Sequence, residues 1–122
     1  MTNQAQNSNG EKIYDLEERT SVFGTQVITL CNNVKKTIVT APLISQIIRS
    51  ATSVGANYME ANGADSKKDF HAKISICKKE SKETIHWLRM IEFADGTQKS
   101  FILKLLQEAK ELSLIFGAIN KK

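Results

Sequence analysis

LISQIIRSATSVGANYMEAN, residues Leu43 to Asn62, decides how this chain folds. Apolar residues recur there at steps of three and four, at Ile44, Ile47, Ile48, Ala51, Val54, Gly55, Tyr58 and Met59, the period of a helix buried along one side. The other side keeps small residues where a solvated helix carries long charges: Ser45, Ser50, Thr52, Ser53, Gly55 and Ala56. Small side chains let a second backbone come close with little side-chain entropy lost. The face therefore fits either a crowded contact inside one chain or a subunit interface of Arg49, Ser53, Gly55, Ala56 and Glu60. Arg49 and Glu60 stand eleven residues apart, hence about 16 Å along one helix axis. They cannot pair with each other, so each is expected to meet a partner on another helix or another subunit.

Working outward, Thr40-Ala41-Pro42 reads as the start of this helix, because proline is tolerated in the first turn. Asn62-Gly63 suits a left-handed cap at its end. Upstream, Asp15 with Glu18 three positions later makes a capping box. The helix it opens runs to about Thr37, with Leu16, Phe23, Val27, Leu30, Cys31 and Val34 on one face. Downstream, Ser66 with Asp69 caps a helix from Lys67 to about Ala94, whose inward line is Phe70, Ile74, Cys77, Ser81, Thr84, Leu88 and Ile91. Asp95-Gly96 interrupts the pattern and Thr97 restarts it. The last helix turns Ile102, Leu105, Leu106, Ala109, Leu112, Phe116 and Ile119 inward, and Phe101, Leu103, Leu114 and Ile115 widen that face beyond what one core needs. Four helices on short links predict an all-α, antiparallel up-down-up-down bundle spanning residues 13–122. Residues 1–12, rich in Asn, Gln and Ser, are expected to be a disordered tail.

At 122 residues the chain is one domain able to bury a core without disulfides or metal. Seventeen basic against thirteen acidic residues leave a net charge of +4, compatible with nucleic acid without requiring it. Cys31 and Cys77 fall inside helical patterns and are expected to be small buried residues in a reducing compartment. No apolar run reaches the roughly 20 residues of a membrane span. Met1 to Gly10 is polar and lacks Lys and Arg, unlike a secretory leader. A cytoplasmic protein with no membrane association is expected.

The helix beginning at Lys67 holds the charge that matters. From Ser66 to Met90 it carries Lys67, Lys68, Lys73, Lys78, Lys79, Lys82 and Arg89 against Asp69, Glu80 and Glu83, seven minus three, which equals the excess of the whole chain. Such a face serves solubility or holds an anion. If copies assemble, the patch is repeated and phosphate contacts add across subunits, giving salt-sensitive binding of low sequence specificity to RNA or DNA. No aromatic ladder accompanies the lysines, so base stacking is not suggested. Trp87 beside the core line fits packing better than stacking. Glu83-Thr84-Ile85-His86 has the Glu-x-x-His spacing of di-iron bundles, but the required second copy is missing and the chain has only two histidines. No phosphate loop or nucleophile elbow occurs. A non-enzymatic protein without metal or cofactor is expected.

The segments Arg49 to Tyr58 followed by Glu60-Ala61, Ser66-Lys67-Lys68-Asp69-Phe70, Lys78 to Thr84 and His86-Trp87-Leu88-Arg89, with Pro42-Leu43-Ile44 and Glu108-Ala109 to Ile115-Phe116, resemble the bacterial four-helix-bundle proteins encoded in intervening sequences of 23S rRNA genes. That family often carries a 23S ribosomal protein label. The resemblance covers about Tyr14 to Ile119 and departs at Met59, where a small residue or cysteine is expected. It implies a homopentameric ring, and kinship with the accessory protein of diversity-generating retroelements, which binds nucleic acid through a basic surface and partners a reverse transcriptase. No catalytic residues come with it. The expected activity is low-specificity nucleic-acid binding through the lysine-rich helix. The alternative is a protein-binding scaffold or accessory factor for a partner enzyme such as a reverse transcriptase.

Overall fold

The computed structural model describes residues 4–6 and 12–122. Four helices make the body: α1 (Leu16–Asn33), α2 (Thr40–Asn62), α3 (Lys67–Ala94) and α4 (Lys99–Asn120), the last preceded by a short 3-10 turn at Gly96–Gln98. Two three-residue strands precede them, β1 (Gln4–Gln6) and β2 (Lys12–Tyr14), paired antiparallel with Ala5 opposite Ile13. This small ribbon was not anticipated from the sequence. The rest of the expected 1–12 tail lies outside the described residues.

Local chemistry sets most helix ends. Asp15 Oδ1 accepts from the Glu18 N–H at 3.0 Å and Ser66 Oγ from the Asp69 N–H at 3.0 Å, each satisfying an orphan first-turn donor. Asp95 accepts from the Thr97 N–H and hydroxyl, which opens the 3-10 turn. Two expectations are corrected. α1 stops at Asn33 rather than near Thr37, because Val34 turns extended to place its side chain in the core. Thr37 then caps the next helix: its Oγ1 accepts from the Thr40 N–H at 3.1 Å while Thr40 Oγ1 accepts from the Thr37 N–H at 2.9 Å. Gly63 is not left-handed. Its φ is −96°, and its N–H reaches the Met59 and Glu60 carbonyls, tightening the last turn of α2.

Contacts run in opposite senses along each neighbouring pair, so the helices alternate up and down. Between α1 and α2, Gly24 lies against Thr52 and Gly55 against Thr20. Between α2 and α3, Ser50 meets Thr84 and the Cys77 thiol donates to the Val54 carbonyl, while Glu60 pairs with Lys73. Between α3 and α4, His71 bonds Asn120 and Lys78 lies over Gly117. Arg19 closes the bundle from α1 to α4, with Nε and Nη2 on the two Glu108 oxygens at 2.7 and 2.9 Å and Nη2 also on Glu111 at 2.8 Å.

Phe23, Leu30, Ile47, Leu88, Leu105 and Phe116 are among the fully buried side chains of one continuous core. Each contributes roughly 1.5–3 kcal/mol by leaving water. The predicted inward lines of α1, α3 and α4 are buried or half-buried throughout. On α2, Met59 is 61% exposed, and Ser50, expected outside, is fully buried because Thr84 on α3 takes its hydroxyl at 2.8 Å. Both cysteines are buried and unpaired, and burial pushes the Cys31 thiol up to about 11 and the Cys77 thiol up to about 12. Among the described residues no helix is long and apolar enough to cross a membrane.

Candidate functional site

An α-helix advances about 100° per residue, so positions eleven apart return to nearly the same line. Lys67, Lys78 and Arg89 are spaced this way on α3, as are Lys68 and Lys79, with Lys82 between the two lines. These six are all exposed and fall within an arc of about 120°, forming a stripe about 33 Å long from Lys67 to Arg89. Among the described residues, none of the six takes part in an ion pair. The stripe leans toward α4, where the Lys78 side chain crosses Gly117. Glu92, one turn beyond Arg89, bounds it.

The seventh cation, Lys73, falls on the opposite flank. Its ammonium sits 2.8 Å from Glu60 on α2, and that carboxylate raises its pKa. Glu80 and Glu83 of α3 lie on this α2 side too. Arg49 donates to Glu83 at 2.8 Å and reaches Glu80 at 3.4 Å, and Glu80, 8% exposed, is held beneath it. The Arg49 hydrogen bond, helped by one from Trp87 Nε1, holds the Glu83 carboxyl below the usual carboxylate range. Glu83 Oε2 accepts from both Arg49 and Trp87, and Trp87 packs against the core with His86 edge-on to it. Arg49 and Glu60 each meet a partner on another helix, as their spacing requires.

The remaining small-face residues divide. Gly55 serves the α1 contact within the chain: a Cβ there would stand 3.3 Å from Thr20 Oγ1. Ser53 is half-buried and its hydroxyl accepts from Asn57 at 2.9 Å. Ala56 is exposed. Large apolar side chains also remain in water, with Phe93 93%, Leu114 75% and Leu103 53% exposed.

One basic group escaped the sequence reading. Lys121, just past α4, borders a cleft with Lys78, Lys79 and Lys82. The signal was the lysine pair ending the chain, but only the antiparallel α3–α4 packing shows which lysines it joins.

The class is therefore an antiparallel four-helix bundle with a charge-segregated third helix. Comparison with known proteins narrows it. Residues 4–118 match the 23S rRNA-intervening sequence protein family, and the chain belongs to that family. A solved structure from Bacteroides thetaiotaomicron, described as a protein with unknown function from the S23 ribosomal protein family, superimposes with a TM-score of 0.77 at 27% identity, covering 88% of this chain and 99% of that one. No curated protein matches.

Proposed function

We propose that this protein is a non-catalytic bundle that binds structured RNA or DNA through the phosphate backbone, with low sequence specificity. The supporting observation is the unpaired basic stripe on α3. Helix stability does not account for it, because Lys67 and Lys68 occupy the first turn, where the macrodipole disfavours cations, and the last turn of α3 holds no basic residue. Lysines are compact point charges suited to phosphate contacts that position without reading bases. Titration of a structured RNA by fluorescence anisotropy should show binding at low salt; its absence there would overturn the proposal.

Self-association into a ring, five-fold by the family resemblance, accompanies this function. Exposed Met59, Phe93, Leu103 and Leu114 support it, since a lone chain would leave them wet. Sedimentation should report a multiple of the 13.6 kDa chain. A folded single copy in dilute solution would remove the ring, and with it the addition of lysine stripes across subunits. Ala56→Arg is the cleaner interface probe, because Gly55→Leu also collides with Thr20 in the same chain. The scaffold alternative draws on the same exposed apolar side chains. It would displace the nucleic-acid function if a stoichiometric protein partner survived nuclease and high salt.

A further inference from the structure

We propose that the cleft between α3 and α4 seats a compact di- or triphosphate group. The cleft is open to solvent, has a volume of about 540 Å³ and is bordered by the exposed Lys78, Lys79 and Lys82 from α3 with Lys121 from the end of α4. No carboxylate lines it, and none of these four lysines is in an ion pair among the described residues. Like charges gathered around one cavity repel unless an anion sits among them. The C-terminal end of α4 offsets only about half an elementary charge of the four.

The cleft also has fixed walls. Gly117 leaves its floor open, so the Lys78 ammonium lies 3.5 Å from where a Cβ would stand. Asn120 donates to Ser75 Oγ at 2.7 Å and to the His71 carbonyl at 3.2 Å, while its Oδ1 takes His71 Nδ1 at 2.8 Å. Ser75 accepts there and makes no other bond among the described residues, which leaves its own hydrogen to donate into the cleft. A nucleic-acid backbone spreads one charge per about 3.4 Å of strand. A di- or triphosphate concentrates several charges and their acceptor oxygens in one place, which suits a cleft bordered by four lysines and a hydroxyl. Two sources carry this chemistry: a free nucleotide or polyphosphate, and the 5′-triphosphate end of an RNA. The inference uses the face invoked for nucleic-acid binding and sharpens that function.

Calorimetric titration of the full chain with inorganic tripolyphosphate should show one saturable site per chain. Lys78→Gln or Lys121→Gln should weaken it about tenfold or more, each removing a charge-assisted hydrogen bond. Lys67→Gln with Lys68→Gln should leave it nearly unchanged, since Lys67 lies about 16 Å from Lys78 along the helix, beyond a Debye length at physiological salt. No saturable binding, or equal losses in both sets of variants, would overturn the site. Equal binding of ATP would assign the free nucleotide, and preference for a 5′-triphosphate RNA over its 5′-hydroxyl twin would assign the RNA end. RNA binding without any tripolyphosphate binding would overturn the cleft and leave the nucleic-acid function standing. The converse would overturn that function and keep the cleft.

Discussion

The two flanks of α3 carry opposite charge to opposite purposes. Toward α2, Glu80 and Glu83 lie under Arg49, Lys73 bonds Glu60, and Thr84 and Ser50 share a buried hydrogen bond. Each of these groups has a partner on the facing helix. Toward α4, Lys67, Lys68, Lys78, Lys79, Lys82 and Arg89 are exposed and, among the described residues, in no ion pair. Charges that settle how two helices dock are consumed within the fold; charges with no internal partner are left for something outside it. Substitutions on one flank should therefore change stability and leave binding intact, and on the other flank the reverse.

The largest effect is expected on the α4 side. Reversing Lys78, Lys79 and Lys82 together to Glu should lower RNA affinity by about two orders of magnitude at low salt, with the helical circular-dichroism signal and melting transition preserved. On the α2 side, Thr84→Val should cost about 1–2 kcal/mol in urea unfolding, because Ser50 Oγ keeps only its 3.3 Å approach to the Ile47 carbonyl, and RNA affinity should not move. Arg49→Met is smaller, below about 1 kcal/mol at neutral pH, since the pair is partly solvated. Its pH signature is the sharper test. The Glu83 pKa is depressed in the folded state, chiefly by Arg49, so this stabilisation is present above the ordinary carboxylate pKa and is lost as pH falls through the lower folded value. The stability gap between wild type and Arg49→Met should close below about pH 4, whereas Lys78→Gln should show no such closure. As a control away from α3, Gly24→Ala should stabilise by up to about 1 kcal/mol, because its Cβ would meet Thr52 at an ordinary 3.8 Å.

What was legible in the sequence was what local chemistry decides. Asp15 and Ser66 cap helices through their own next turn, and the 3.6-residue period of α3 and α4 marks their buried lines without knowledge of neighbours. Gly63 was misread because a helix C-terminus follows the direction in which the chain leaves, not glycine's freedom alone. Ser50 was misplaced because a hydroxyl can be buried as soon as another helix supplies Thr84. The lysines could be counted but not sorted: that Lys73 faces Glu60 while Lys78 crosses Gly117 depends on which side of α3 each neighbouring helix occupies. Lys121 joined them only through the antiparallel return of α4.

The central claim is that the α4-side lysines meet phosphates. The direct test is the slope of log affinity against log salt for wild type and for the Lys78→Gln, Lys79→Gln, Lys82→Gln variant on one structured RNA. A steep wild-type slope that falls by about 0.7–0.9 for each contact removed is predicted. Equal slopes and affinities for the two proteins would contradict it.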